Sequence, residues 1–290
     1  MIYFSIIIPV YQDADRLHKL LKALDKQTLD VNYWEVVIVN NDSKNPLSIE
    51  VDFMFSWQII QETTPGSYVA RNTGIEVAKG KILAFIDADC IPDENWILNA
   101  YKYFERDINR EIGVLTGSVP LFFKNVNSLS PTEVYEKYTG FTTEAYAREG
   151  HAITANWFSY KDVIEEFGGF NAALKSNGDS DLSGKISSKY KIVYKEDIIV
   201  NHPARYHTED LVNKYRRLLG GAYTRRFQEN KWSFTPHVLN FILRRYRFSL
   251  KKFFTVPINE SWAIFKVCTA INLGAVQEYF NLIRGGETKR

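Results

Sequence analysis

Cysteine is nearly absent from this chain, which holds only Cys90 and Cys268 among its 290 residues. Two thiols cannot build a disulfide framework or a zinc site of their own, so a reducing compartment is expected. An excess of one charge is missing as well. The 36 basic residues face 34 acidic ones, a net charge of +2, where a nucleic-acid binder carries a strong basic footprint. Nucleic acid is therefore not an expected partner. Long apolar runs are lacking too. A membrane-spanning helix needs about 18 or more apolar residues in succession, and the nearest approach, Trp262 to Val276, is broken by Lys266 and Asn272. The first residues enter a strand pattern without a charged n-region, an apolar h-region and a small-residue cleavage site, so no secretory signal is expected and the cytoplasm is the expected location. Internal repeats and low-complexity tracts are absent.

Hydrophobic residues make up 45 % of the chain, enough for a sizeable core, and the length allows one large or two small domains at about 100–200 residues each. Residues 4–10 and 35–40 read as buried strands, separated by a helix with a polar face over about 14–27. A third strand is predicted near 57–61. A helix follows Gly66, carries Ala70, Thr73, Gly74 and Val77 at helical spacing, and ends at Gly80. Residues 81–86 read as the next strand, and Pro92 is expected to start the helix after it, where proline suits the first turn. This alternation predicts an α/β fold with a mainly parallel central sheet. Beyond about Gly113 the texture turns aromatic and rich in Ser, Thr and Asn. Strands are predicted at 114–121, 152–158 and 198–201, helix over most of 131–149 and over 161–167, and a mainly helical region after Tyr206. Three sections result: a first half (1–112), a second half of the same domain (113–210), and a helical, basic and aromatic C-terminal region (211–290).

The stretch Phe85-Ile86-Asp87-Ala88-Asp89-Cys90 is an apolar strand running into two carboxylates one residue apart. In a parallel α/β sheet ligands sit at the carboxyl ends of the strands, so Asp87 and Asp89 deliver charge to that crevice. A hard divalent cation takes one or two carboxylates together with substrate phosphates. A strand-end Asp-x-Asp also serves as a solvated turn or helix cap. Around it, in order, stand Phe4 to Gln12 with Pro9 and Tyr11, then Val36 to Ser43 with Asn40-Asn41-Asp42, then Gly66 to Gly74 with Arg71, and downstream Phe167-Gly168-Gly169-Phe170-Asn171 and Ser176 to Leu182.

Together these motifs, over roughly residues 3–205, resemble the family 2 glycosyltransferases, inverting enzymes with a Rossmann-like type A nucleotide-sugar fold. The resemblance implies a nucleotide-sugar donor, a UDP-sugar, and a saccharide or lipid-linked saccharide acceptor in cell-surface polysaccharide assembly. It implies Mn²⁺ or Mg²⁺ as cofactor. Pro9, Tyr11, Asn41 and Asp42 would line the base pocket, with Tyr11 stacking on the base, although the family often has two acids where Asn40-Asn41 stand. Arg71, Asp87 and Ala88 would contact the nucleotide. Asp87 and Asp89 would place the metal, with Asp89 its direct ligand, and His202, in His202-Pro203-Ala204-Arg205, would add an imidazole that tilts the ion toward Mn²⁺. Asp179 would be the catalytic base that deprotonates the acceptor hydroxyl. Gly178 stands where the family's pattern has Glu, and Asp179 would equally cap a helix beginning at Ser180.

The segment 214–252 gathers Arg216, Arg217, Arg225, Arg226, Lys231, Arg244, Arg245, Arg247 and Lys251, interleaved with aromatics. It reads as an interfacial surface for peripheral membrane contact at the inner face of the cell membrane. It reads equally as a solvated face packed onto the catalytic part, or as an oligomer interface. Two rival functions stand beside glycosyl transfer. A nucleotidyltransferase would want a glycine-rich basic loop after the first strand, where Pro9-Val10-Tyr11-Gln12 stands, and a catalytically inactive nucleotide-sugar-binding protein is supported by Gly178.

Overall fold

The computed structural model describes residues 2–289. The chain divides into two compact units: Met1–Pro120, Phe141–Leu174 and Gly178–His202 make the first, and Leu121–Gly140, Lys175–Asn177 and Pro203–Arg290 the second.

The first unit is a mixed α/β body around a central sheet. Its elements, in order, are β1 (Phe4–Val10), α1 (Ala14–Leu24), β2 (Trp34–Asn40), β3 (Ser56–Gln61), α2 (Ser67–Val77), β4 (Ile82–Phe85), β5 (Ile91–Pro92), α3 (Trp96–Arg106) and β6 (Ile112–Ser118). After residue 140 come α5 (Thr143–Arg148), β8 (Trp157–Tyr160), α6 (Lys161–Glu166), α7 (Gly178–Ile186) and β9 (Lys191–Pro203). The strand order is β3-β2-β1-β4-β8-β6-β9-β5. The first four strands are parallel, β8 lies antiparallel to both β4 and β6, and β6 runs parallel to β9. β1 and β2 are apolar along almost their whole length and buried, as strands covered on both faces must be. Within this core Glu35 is satisfied by the Ser5 hydroxyl at 2.7 Å and the Lys79 N–H at 2.7 Å.

Chain order reverses between β1 and β4, and that is where such sheets open a ligand crevice. Pro9 pairs with Val39 of β2, while β4 pairs only with residues 4–7 of β1. Proline, lacking an N–H, is therefore tolerated in this central strand because no neighbour on the β4 side asks it for a hydrogen bond.

Several boundaries differ from the sequence pattern. Pro92 does not start a helix: Ile91–Pro92 pairs antiparallel with Asn201 and Val200, and α3 begins at Trp96. The Gln27 side chain braces that start, donating to the Asp93 carbonyl at 2.7 Å and accepting the Ile97 N–H at 3.0 Å. The helix expected over 131–149 breaks at Gly140 into two, and the strand expected at 152–158 is delayed to Trp157 by a turn.

The second unit contains β7 (Leu121–Phe122) and the helices α4 (Pro131–Thr139), α8 (Thr208–Arg226), α9 (Phe234–Lys252) and α10 (Ile258–Ile283). The long α10 packs against the other three helices. Val134, Tyr135, Leu211, Ile264, Val267 and Ile271 fill one part of its core, and Leu219, Phe234, Val238 and Ala275 another. α4 is held at its start by a capping box between Ser130 and Glu133. Among the described residues no helix is long and apolar enough to cross a membrane.

Candidate active site

At the carboxyl ends of β1 and β2 lies a cleft of about 380 Å³, lined among others by Val10, Gln12, Asp13, Asn40, Asp42 and Asn45. Asp42 is held there by the Asn45 amide at 2.7 Å and the Lys44 N–H at 3.0 Å. Those hydrogen bonds, the Asn45 amide first, keep its carboxyl below the usual carboxylate range. Asn41 is turned to a neighbouring loop instead. Its amide donates to the carbonyls of Glu62 and Thr64 at 3.1 and 2.8 Å and accepts the Gly66 N–H at 2.8 Å. Gly66 adopts φ = 145°, a backbone conformation open to glycine, so Asn41 and Gly66 together fix the entry to α2. Tyr11 follows β1 with its ring half-exposed.

α2 carries the next group of residues. Arg71 is 4 % exposed, donates to Asp87 Oδ1 at 2.5 Å and to the Ser67 carbonyl at 3.3 Å, and leaves Nε buried without a partner. Asn72 makes a two-way amide contact with the backbone of Phe170, at 2.8 and 2.9 Å. That brings the Phe170 ring onto Tyr68, with centroids 5.6 Å apart. The Tyr68 hydroxyl reaches Asp179 Oδ1 at 3.5 Å. Asp179 lies in the first turn of α7, which begins at Gly178, two residues before the Ser180 start that a cap at Asp179 requires. Burial lifts the Asp179 carboxyl above its ordinary range. The Ser180 N–H and Arg71 oppose that lift, and the nearby Asp87 adds to it.

Gly178 has a steric reason. A Cβ at this position would stand 2.7 Å from the Tyr68 ring, inside any tolerable contact, and that ring is pinned by Phe170. A side chain at 178 and this tyrosine exclude one another.

Asp89 stands beside His202. The imidazole Nε2 is 4.0 Å from Asp89 Oδ1, His202 is 5 % exposed and packs on Phe141, and the Cys90 thiol donates to Asp89 Oδ1 at 3.7 Å. One atom from each of Asp89, Cys90 and His202 falls within 4.8 Å of the others. Burial, with Asp87 and Asp89 beside it, pushes the Cys90 thiol well above its usual range, so the donors to a cation here are a carboxylate and an imidazole. That mixed oxygen and nitrogen set can ligate a divalent cation. Asp87 is taken by Arg71, and Ala88 between the two acids is buried. On the other side of Asp89, Arg16 from the first turn of α1 donates to Oδ2 at 3.3 Å while its Nε reaches Asp13 at 3.1 Å.

Residues 5–164 match the model of glycosyl transferase family 2. The chain belongs to this family. The glycosyltransferase AglE of Haloferax volcanii is 33 % identical over 228 residues, which cover 74 % of this chain and 71 % of AglE. Among solved structures, the mannosyltransferase PcManGT from Pyrobaculum calidifontis, in complex with GDP-Man and Mn²⁺, aligns over 98 % of this chain and 79 % of its own at 17 % identity, with a TM-score of 0.57. Residues 1–349 of S. aureus TarS, in complex with UDP-GlcNAc, align over 98 % and 93 % at 15 % identity, with a TM-score of 0.52. The chain spans 55 % of the longer TarS chain. The likeness extends through the α/β fold and its C-terminal helices.

In this glycosyltransferase the pattern of motifs left four contributors unassigned: Gln12 and Asn45 at the cleft, Arg16 at Asp89, and Tyr68 at Asp179. Tyr68 and Arg71 are three apart on α2, the spacing that puts two side chains on one helix face. Arg16 lies in the first turn of the helix that leaves β1, near the strand end where the crevice opens. Asn45 carries no comparable signal.

Proposed function

We propose that this glycosyltransferase moves a sugar from a UDP-sugar to a saccharide or lipid-linked saccharide acceptor with inversion at the anomeric carbon. The observation that carries the reading is the convergence, at one edge of one sheet, of a base-sized cleft, an Asp89–His202 pair and a carboxylate with raised proton affinity. In this reading Asp42, with Gln12 and Asn45 beside it, reads the base, and Tyr11 covers it. Pro9 shapes the floor and Asn41 positions the loop that launches α2. Arg71 holds Asp87 toward the nucleotide, Ala88 approaches it closely, and Asp89 and His202 would hold Mn²⁺ or Mg²⁺. A divalent cation bound there supplies Lewis-acid stabilisation of the diphosphate as it leaves.

The base step belongs to Asp179. Its carboxylate takes the proton of the acceptor hydroxyl, the acceptor oxygen bonds to the anomeric carbon, and the bond from that carbon to the diphosphate oxygen breaks with its electron pair. A carboxyl with raised proton affinity suits this task, because a more basic carboxylate is a better acceptor of the proton. PcManGT was solved with Mn²⁺ and GDP-Man, and TarS with UDP-GlcNAc, and the nucleotide titration below decides between the two bases. Membrane contact is proposed for the exposed face of α9, which places the enzyme on the inner face of the cell membrane.

Calorimetric titration with UDP, GDP, CDP and ADP, each in Mn²⁺ and in EDTA, tests the donor. UDP is expected to bind selectively and only with metal. Asp89→Ala is expected to lower UDP affinity in Mn²⁺ at least about tenfold, or ~1.4 kcal/mol, to the level seen in EDTA. Equal affinity in both conditions would remove the metal from the proposal.

A further inference from the structure

The cleft at the ends of β1 and β2 carries the wrong charge for its proposed occupant. Asp13, Asp15 and Asp42 line it, and among the described residues no lysine or arginine does. A nucleoside diphosphate brings several negative charges to that wall, so its phosphates need cations supplied from beside the cleft. Arg71 on α2 is committed to Asp87. Arg16, in the first turn of α1, is joined to the cleft wall itself.

The Arg16 guanidinium bridges two carboxylates from different parts of the sheet edge. Its Nε stands 3.1 Å from Oδ1 of Asp13, and its Nη1 donates to Oδ2 of Asp89 at 3.3 Å. The other oxygen of Asp89 faces His202 Nε2 at 4.0 Å, so Arg16 and a cation held with His202 would share one carboxylate from its two oxygens. The two acids also sense one another. Burial lifts the Asp13 carboxyl, Arg16 opposes that lift, and Asp89 adds to it. The cleft wall and the Asp89–His202 pair therefore form one electrostatic neighbourhood, joined through this guanidinium. The Arg16 side chain is 54 % exposed, and among the described residues its Nη2 donates no hydrogen bond.

We infer that Arg16 binds the diphosphate of the donor, exchanging its hold on Asp13 and Asp89 for phosphate oxygens. This role rests on the nucleotide-sugar donor proposed above. Exposed ion pairs hold weakly, so the exchange gives up little, while a guanidinium fits phosphate oxygens with paired, charge-assisted hydrogen bonds. The same positive charge beside Asp89 repels a divalent cation that arrives alone. When metal and diphosphate arrive together, the phosphates draw both cations and offset that repulsion. Arg16 thus makes each of the two bind better in the presence of the other.

The test is calorimetry on the full chain with Mn²⁺ alone, and with UDP and GDP in saturating Mn²⁺. Arg16→Gln is expected to bind Mn²⁺ alone about threefold more tightly than the wild type, because a repelling charge has gone. It is expected to bind the nucleotide that the wild type takes about tenfold more weakly, the scale of a lost hydrogen bond to a charged group. These shifts run in opposite directions, which a residue that only props Asp89 does not produce. Arg16→Lys keeps the charge and is expected to restore the Mn²⁺ affinity. Its nucleotide affinity should fall between those of the wild type and the glutamine variant, since an ammonium lacks the paired donors. If Arg16→Gln binds the nucleotide as the wild type does, or binds Mn²⁺ no more tightly, the inference is overturned and the donor proposal stands. If the wild type binds neither UDP nor GDP, the donor proposal falls and this role with it.

Discussion

Asp179 holds its proton more tightly than an ordinary carboxyl because burial penalises its charge more than the Ser180 N–H and Arg71 relieve it. The sign of the linkage follows. A carboxyl raised in the folded state contributes stability below its unfolded pKa, about 3.9, and loses it as pH rises through the folded value. At neutral pH the charged form is thus a cost to the fold. Asp179→Asn removes that cost. The variant is expected to melt above the wild type at pH 7. The difference should vanish as pH falls below the ordinary carboxylate range. Transfer should drop about 10²–10⁴-fold with UDP affinity kept, and the acid limb of wild-type kcat/KM should lie above the ordinary range. A variant that melts lower and turns over normally would take Asp179 out of the base role. Gly178 belongs to the same local logic: with Tyr68 occupying the space of its missing Cβ, the hydroxyl of that tyrosine stands near Asp179, the proposed base, where the family's usual pattern has a second acid.

Beside its ladder with β6, β9, whose end carries His202, is held by one buried amide. Asn156 is fully buried. It donates to the Ile198 carbonyl at 2.9 Å and the Ser118 carbonyl at 3.2 Å, and accepts Trp96 Nε1–H at 3.0 Å, so it ties β9, β6 and α3 at a single point. Asn156→Leu fills the space but strands those three partners, and is expected to cost on the order of 3 kcal/mol, read as a lower midpoint in urea with an unchanged slope. An unchanged midpoint would show the three partners finding other bonds. The residue also marks how far the pattern of the chain could be read. The parallel half, from Phe4 to Phe85, was legible because β1, β2 and β4 are nearly continuous apolar runs between polar or glycine-bearing turns, and Asp87 and Asp89 follow from a strand that ends in charge. Beyond Gly113 strands are short, antiparallel pairings enter, and Asn156 sits where an apolar strand was expected. Its value depends on backbone groups 38 and 42 residues away in sequence, which periodicity does not register. The short pairing of Ile91–Pro92 with β9 was hidden for the same reason, since Pro92 satisfies a helix rule locally while a distant strand decides its place.

At the scale of the molecule, what the catalytic sheet does not need is most visible on α9. From Phe234 to Lys252 this helix has no acidic residue. Its exposed positions carry Leu239, Leu243 and Leu250, continued by Phe254, together with Arg244, Arg247 and Lys251. Exposed leucines gain nothing in water, and an acid-free row of cations repels itself there. In the proposed membrane contact both features become favourable at an anionic bilayer, where the leucines would enter the headgroup boundary and each cation would gain about 1 kcal/mol. Replacing Arg244, Arg247 and Lys251 together by Gln should therefore weaken sedimentation with phosphatidylserine vesicles by about 3 kcal/mol, roughly a hundredfold. Since the Debye length falls from about 10 Å at 0.1 M salt to about 3 Å at 1 M, high salt should release the wild type in the same way. Melting temperature and UDP affinity should not move, because these side chains support no core. Equal binding to neutral and anionic vesicles, or none to either, would return α9 to the reading in which a second protein surface covers its leucines.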